Sequence, residues 1–247
     1  IRIFRMIALT LVIIALARPQ VTDISTRVKN NQGIDIIMAI DVSASMLAKD
    51  LKPNRLEALK NVASNFIKSR TTDRIGLVEY AGESYTKTPI TSDKSIILRS
   101  LKEIEYNTII EGGTAIGMGL ATSVNRIKDS KAISKVIILL TDGVNNTGFI
   151  DPLTAAELAN EFGIKIYTIG LGTNGMALSP IGIDSRGKFN YANVKVEIDE
   201  KLLNEIADMT GGKYFRATNN NKLKEIYDDI DNLEKSDIEE FKYYNVQ

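Results

Sequence analysis

Four short apolar runs alternate with segments of helical periodicity, and this rhythm constrains the fold more than any other feature of the sequence. The runs consist mainly of valine, isoleucine and leucine and cover residues 34–40, 75–80, 136–140 and 164–169. Helical spacing marks the segments 55–68, 95–104, 115–127 and 152–162. Continuous aliphatic strands that alternate with helices are typical of a mainly parallel sheet buried on both faces. We therefore predict an α/β fold with a doubly wound, mainly parallel sheet flanked by helices.

The C-terminal third of the chain departs from this rhythm. Residues 174–198 contain glycine, serine and proline and alternate in polarity, which predicts a β-hairpin inserted after the fourth strand. A helix over 199–209, a short strand over 213–216 and a last helix are expected to follow. An apolar stripe that should lie on the sheet runs along the last helix and consists of Leu223, Ile226, Ile230 and Leu233.

Missing residue types limit the chemistry that the chain can perform. The 247 residues include no histidine and no cysteine, which excludes Ser-His-Asp and Cys-His mechanisms and transition metals bound by imidazole or thiolate. Any metal must therefore be held by oxygen, which points to magnesium, calcium or manganese. Lysine plus arginine and aspartate plus glutamate both number 31, so no overall field favours nucleic acid, and we expect no nucleic-acid partner.

Polar side chains follow two of the predicted strands at the point where each strand ends. Asp41, Ser43 and Ser45 come after the first run, and Asp142 follows the run at 136–140 in the sequence TDG. In a doubly wound sheet, ligands bind outside the carboxyl ends of the strands. Two carboxylates brought together there are costly without a cation, so these residues predict a metal site.

A third hydroxyl completes the proposed ligand set. Thr114 follows two glycines in the sequence EGGTAIGMGL, at the expected start of a helix. Two carboxylates and three hydroxyls suit the oxygen shell of Mg²⁺, with Mn²⁺ or Ca²⁺ as alternatives. Because the hydroxyls carry no charge, the two aspartates neutralise the divalent ion without an excess of negative charge. It should therefore accept a further carboxylate from a partner.

These residues resemble a known family. The D-x-S-x-S pattern of Asp41, Ser43 and Ser45, the threonine of GGT and the aspartate of TDG are similar to the von Willebrand factor A domain and its metal-ion-dependent adhesion site. The resemblance covers residues 34–233. It implies that Ser43, Ser45 and Thr114 bind the ion directly or through water, and that Asp41 and Asp142 bind or orient the shell. Position 44, often glycine in relatives, is an alanine spacer here.

The flanking sequences resemble one bacterial branch of that family. The segments ALARPQ, GIDIIMAIDVSASM, TDGVNNTG and KYFRATNNNKLKEIYDDIDNLEK are similar to the Bat (Bacteroides aerotolerance) proteins. The resemblance implies a bacterial inner-membrane protein whose domain faces the periplasm, with a role in oxidative-stress tolerance. It also implies a protein partner that presents an acidic residue to the metal, with other Bat proteins and a MoxR-type ATPase as associated proteins.

An apolar run near the start of the chain bears on membrane attachment. Residues 6–17 would form a helix of about 18 Å, short of the roughly 30 Å hydrocarbon layer. Length alone leaves a buried helix, an incomplete signal peptide or the end of a membrane span. With the resemblance, we expect a partial transmembrane helix over 1–18, a connector over 19–33 and the domain over 34–235. Residues 236–247 should then extend toward a further span.

Three functions are compatible with these residues. The first is a membrane-anchored module that binds a protein through the ion and is not an enzyme. The second is a magnesium-dependent phosphoryl-transfer enzyme with Asp41 as nucleophile, as in haloacid-dehalogenase-type phosphatases, although those carry a second acid where this chain has Ser43. The third is a scaffold whose metal site is vestigial.

Overall fold

The structure is a computed structural model that describes residues 3–6, 8, 33–106, 112–173 and 175–244, with side chains as far as residue 234. The chain divides into two compact units, residues 1–31 and 32–247. In the first unit the described residues are helical. Most of the predicted membrane segment (1–18) and of the connector (19–33) lies outside the described residues. Among the helices that the structure describes, none combines the length and apolar character that crossing a membrane requires.

A central sheet organises the second unit. The strands are β1 (Asp35–Asp41), β2 (Arg74–Tyr80), β3 (Ser84–Thr91), β4 (Lys135–Thr141), β5 (Lys165–Leu171), β6 (Gly175–Ile183), β7 (Phe189–Val196) and β8 (Tyr214–Ala217). Within the described residues, six of them form the main sheet in the order β3-β2-β1-β4-β5-β8, and only β3 runs antiparallel. The predicted mainly parallel, doubly wound sheet is confirmed.

Helices cover both faces of this sheet. They are α1 (Arg55–Ser69), α2 (Lys94–Lys102), α3 (Ile116–Ile127), α4 (Pro152–Glu161), α5 (Glu200–Met209) and α6 (Asn220–Tyr244). Successive residues of β1 point to opposite faces: Ile36 and Met38 pack with α1, α2 and α6, whereas Ile37 packs with α3, α4 and α5. Every residue of β1 is buried, which explains why its sequence is apolar without alternation.

The edge strand β3 was not predicted. Its sequence, SYTKTPIT, contains no aliphatic run because the strand lies at the sheet edge and most of its residues are only partly buried. Pro89 is tolerated there because the pairing of β3 with β2 is irregular between Thr88 and Thr91. The periodicity of buried central strands therefore gives no signal for this element.

The predicted hairpin over 174–198 is present as β6 and β7, which pair antiparallel and stand apart from the main sheet. Its turn includes Asp184, whose side chain accepts hydrogen bonds from the backbone N–H groups of Arg186 and Lys188. Near this turn, the ring of Phe189 lies 5.3 Å from that of Tyr106 in an edge-on contact. The hairpin thus packs on the rest of the domain at its far end.

Helix α6 corrects one prediction about the core. Leu223, Ile226 and Ile230 are buried as expected, but Leu233 is 38% exposed and Glu234 takes the inward position. Four residues separate 230 from 234, so Glu234 continues the buried face, and 233 falls outside it. The predicted extension over 236–247 continues α6 as far as Tyr244, and residues 245–247 lie outside the described residues.

The Glu234 carboxylate is fully buried and has three polar partners. It accepts hydrogen bonds from the Ser134 hydroxyl at 2.8 Å and the Tyr167 hydroxyl at 2.7 Å. It also forms an ion pair of 3.1 Å with Lys165. Because Ser134 precedes β4 and Lys165 begins β5, this carboxylate joins α6 to the amino ends of two central strands.

Candidate metal centre

The two predicted carboxylates meet at the carboxyl edge of the sheet. Asp41 ends β1 and Asp142 follows β4, and these strands are parallel neighbours. Both side chains are buried. One oxygen of Asp41 accepts a hydrogen bond from the backbone N–H of Ser43 at 2.9 Å, and the other accepts one from the Thr141 hydroxyl at 2.9 Å. Parallel strand pairing therefore brings both acids to one place, as the sequence predicted.

A chain of hydroxyls links the two sides of the centre. A short 3₁₀-helix (Ala44–Leu47) begins after Ser43 and is anchored by the buried side chain of Met46. The Ser43 and Ser45 hydroxyl oxygens lie 2.9 Å apart, and Ser45 donates to Asp142 Oδ1 at 2.7 Å. The tight turn thus aims both serine oxygens into the centre.

Thr114 enters the centre from a third loop. A Cβ built on Gly143, the residue after Asp142, would lie 3.6 Å from the Thr114 hydroxyl oxygen. The Thr114 backbone N–H donates to the Asn146 side-chain oxygen at 2.9 Å, and the Asn146 N–H donates to the Thr114 carbonyl at 3.1 Å. Gly113 adopts a φ of 113°, which favours glycine. The structure therefore brings all five predicted residues to one site.

Two asparagines hold the loop after β4, and sequence reasoning gave them no individual role. Asn146 fixes Thr114 as described, and the Asn145 side-chain oxygen accepts from the Ile116 N–H at 2.8 Å. This contact caps α3, because the residue at its N-cap position, Ala115, offers no side-chain acceptor. The segment TDGVNNTG carried the signal for these roles, since two successive amides after a strand exit can satisfy the amino end of a facing helix.

Sequence reasoning also missed Arg55, the first residue of α1. Its side chain has no exposed surface, and its Nη1 donates to Asp142 Oδ2 at 2.8 Å. Its Nε and Nη2 donate to the two oxygens of Asp50 at 2.8 and 2.7 Å. A Cβ on Gly172 would lie 2.4 Å from this guanidinium, so only glycine fits beside it. An arginine that opens a helix is normally solvated, and nothing in its sequence context marked this one as buried.

The charges at the centre favour a cation. Burial, followed by the negative charge of Asp142, raises the pKa of Asp41 to about 7. Burial also raises the pKa of Asp142, although Arg55 opposes the change. For Asp50, burial acts to raise the pKa, but the hydrogen bonds and charge of Arg55, together with the hydrogen bond from the Thr173 N–H, outweigh it and the pKa is lowered. Two crowded carboxylates whose ionised forms are disfavoured would be stabilised by a bound positive ion.

The charge count that the sequence suggested needs a correction. Asp41 and Asp142 do not balance a divalent ion alone, because Arg55 adds a positive charge at Asp142. Asp50 pairs with the same guanidinium and supplies a compensating negative charge. Three ionised carboxylates and one guanidinium still carry two negative charges. The net charge of these four residues would still balance a divalent ion.

The donor set fits an oxygen-preferring ion. The described residues contain no cluster of three or more acids that could hold a metal by carboxylates alone. The ligand oxygens are instead two buried carboxylates and hydroxyls within hydrogen-bonding distance of each other, which matches Mg²⁺, Mn²⁺ or Ca²⁺. Three of the five candidate residues, Ser45, Thr114 and Asp142, line an open cleft of about 610 Å³, together with residues that include Val144 and Pro180.

Comparison with known proteins settles the family. The family model for the von Willebrand factor type A domain matches residues 35–229, most of the chain. This chain belongs to the von Willebrand factor type A family. The match begins with β1 and ends within α6, so the VWA domain includes every element that contributes to the centre.

Two solved structures of Bacteroides proteins are similar to this VWA domain. BatB from Bacteroides thetaiotaomicron is 31% identical, with a TM-score of 0.71 over 82% of this chain and 100% of that one. An aerotolerance-related membrane protein from Bacteroides fragilis is 29% identical, with a TM-score of 0.67 over 80% of this chain and 98% of the other. The predicted resemblance to Bat proteins is confirmed.

A longer relative shows how much of a whole protein this domain represents. An uncharacterised protein of Borreliella burgdorferi is 33% identical over 213 residues, which are 86% of this chain. The matched region spans 62% of the length of that relative. The VWA domain therefore corresponds to somewhat under two thirds of the Borreliella protein.

Proposed function

We propose that this VWA domain binds a protein partner in a manner that depends on a divalent cation. Asp41, Ser43, Ser45, Thr114 and Asp142 would hold the ion, which would supply a positive centre that a partner's acidic side chain can complete. One observation carries this proposal: two buried carboxylates are joined through the Ser43 backbone N–H and the Ser43 and Ser45 hydroxyls, beside an open cleft. A purely structural polar cluster would have no need to face such an opening.

The charges argue for an acidic partner. Arg55 and Asp50 neutralise each other, so the ion and the two ligand carboxylates would have no net charge. The neutral hydroxyls would leave the ion electrophilic enough to attract one more carboxylate. An aspartate or glutamate on the partner is therefore the preferred contact. We propose Mg²⁺ as the ion, with Mn²⁺ and Ca²⁺ as alternatives.

The cellular setting is part of the same proposal. The relation to Bat proteins supports a membrane-anchored protein of the bacterial inner membrane with the domain in the periplasm and a role in oxidative-stress tolerance. Other Bat proteins and a MoxR-type ATPase are the partners to test first. The membrane helix expected over residues 1–18 belongs to this proposal.

Phosphoryl transfer is the less favoured alternative. Asp41 is fully buried, and its two oxygens accept hydrogen bonds from the Ser43 N–H and the Thr141 hydroxyl, so the side chain presents no surface to a phosphate ester. Position 43 carries a serine where a phosphatase of the haloacid-dehalogenase type would have its second acid. We therefore propose binding in preference to catalysis.

A matched pair of serine variants tests the binding function. Ser45→Ala removes one ligand hydroxyl, whereas Ser64→Ala changes a serine on α1 away from the centre. Calorimetry should show Mg²⁺ binding to the wild type and to Ser64→Ala, with strongly weakened binding to Ser45→Ala. Capture of Bat proteins from membranes should fall with the chelator and with Ser45→Ala alike. Capture that survives both treatments would contradict the proposal.

A further inference from the structure

The hairpin of β6 and β7 is held firmly beside the metal centre. At its root, the Thr173 N–H donates to Asp50 Oδ2 at 2.9 Å, and Asp50 also binds Arg55. Along its length, the Lys49 N–H donates to the Leu178 carbonyl at 3.0 Å. Together with the ring contact at its tip, these contacts fix the hairpin at three places. Through residues such as Pro180 and Val194 it forms one wall of the cleft.

One side of this wall offers unpaired backbone groups. Strand β6 is engaged on both sides, by β7 and by the Lys49 N–H. Strand β7 pairs with β6 alone, and no other backbone hydrogen bond involves residues 189–196 in the part of the chain that the structure describes. An unpaired strand edge is a template for a further strand. Among the described residues nothing pairs with this edge, β7 contains no proline, and the irregular pairing near Pro180 arises in β6.

The carboxyl half of β7 lies at the metal centre. Val194, Lys195 and Val196 line the same cleft as Ser45 and Asp142. Its volume of about 610 Å³ lies within the range of about 300–1,000 Å³ typical of ligand sites. Lys195 is exposed at the rim and pairs with Glu197. A chain lying along β7 would therefore pass beside the ion and a lysine.

We propose that the partner binds in extended form, as a third strand added to the free edge of β7, with an acidic side chain directed at the ion. The inference rests on the proposed function for the role of the acid. Main-chain hydrogen bonds to β7 would supply sequence-independent affinity, and the ion would select the register. The occupant is thus an extended acidic peptide segment. A helix that presents an acid from a folded surface would bind differently.

Peptide selection tests the inference. Short peptides with a fixed central aspartate, displayed on phage, are selected on the domain in millimolar Mg²⁺ and eluted with chelator. Each backbone nitrogen of a selected peptide is then methylated in turn. Strand addition predicts a loss of about tenfold at alternate residues and little change between them, because only every second N–H faces β7. A uniform profile, or one that repeats every three or four residues, would overturn the inference.

The two proposals fail in different ways. Mg²⁺ binding by calorimetry without enrichment of any peptide would overturn strand addition and leave the metal centre intact. Absence of Mg²⁺ binding would overturn both. On the protein side, Lys195→Glu, measured at saturating Mg²⁺, should weaken a selected peptide about threefold or more. Lys188→Glu, at the turn of the same hairpin, should have no effect, and equal losses in both variants would contradict the inference.

Discussion

Replacement of Arg55 by methionine is expected to destabilise the metal-free domain strongly. The guanidinium makes three charged hydrogen bonds of 2.7–2.8 Å and has no exposed surface. Methionine fills a similar volume but leaves Asp50 and Asp142 without their positive partner. Breaking a buried ion pair from one side costs about 3–5 kcal/mol. For a domain of this size, that corresponds to a fall in Tm of about 6–20 °C.

Magnesium should restore part of this loss. Removal of the positive charge at Asp142 leaves an excess of negative charge at the centre, which a divalent ion would compensate. We therefore expect the ion to stabilise Arg55→Met more than it stabilises the wild type. The assay is chemical denaturation with saturating Mg²⁺ and with chelator, followed by circular dichroism.

A control arginine makes the result interpretable. Arg99 is exposed on α2, and Arg99→Met should change the free energy of unfolding by no more than about 0.5 kcal/mol. A cost below about 1 kcal/mol for Arg55→Met would refute the view that the guanidinium holds the two acids. Equal stabilisation of wild type and variant by Mg²⁺ would refute the electrostatic link between Arg55 and the ion.

Four further predictions follow from the same structure. Mg²⁺ or Mn²⁺ at about 100 times its Kd should stabilise the domain by about 2.7 kcal/mol, and Asp142→Ala should abolish the response if the circular dichroism spectrum shows that it folds. The domain with Mg²⁺ should not hydrolyse nucleotides or phosphate monoesters, and a turnover lost in Asp41→Asn would contradict the binding function. A reporter fused after the domain in the full-length protein should be active in the periplasm, and cytoplasmic activity would refute that topology. Glu234→Ala should cost about 1–3 kcal/mol on thermal unfolding, whereas the exposed Glu225→Ala should cost little.

The parts of the fold that the sequence predicted are those in which burial is uniform. Strands β1, β2, β4 and β5 are apolar because both of their faces are covered, and the boundaries fall within two residues of those predicted. Edge strand β3 was not predicted, because a half-exposed strand carries no continuous apolar run. The sequence did not predict that Glu234, rather than Leu233, lies on the buried face of α6. A buried acid can be recognised only once the positions of its polar partners are known.

The candidate site likewise contains residues that the sequence predicted and residues that it did not. Asp41 and Asp142 could be assigned because each follows a recognisable strand, and parallel pairing carries both to one edge. Arg55 and Asp50 lie close in sequence, but the contact of Arg55 with Asp142 spans 87 residues and depends on how α1 packs. The free edge of β7 is likewise a property of packing, since a strand's sequence does not state which of its sides stays unpaired.

Helix α6 runs from the metal-centre edge of the sheet to the opposite edge. The side chain of Asn220 bonds the backbone of Lys52 near the metal centre, and Glu234 bonds the amino ends of β4 and β5. The fourteen residues between these contacts rise about 21 Å, so α6 crosses the height of the sheet. Because β1 also starts at that opposite edge, the start of the first strand and the Glu234 end of α6 both lie on the side of the domain away from the cleft. The side of the domain that carries these two ends is therefore distinct from the side that would bind a partner.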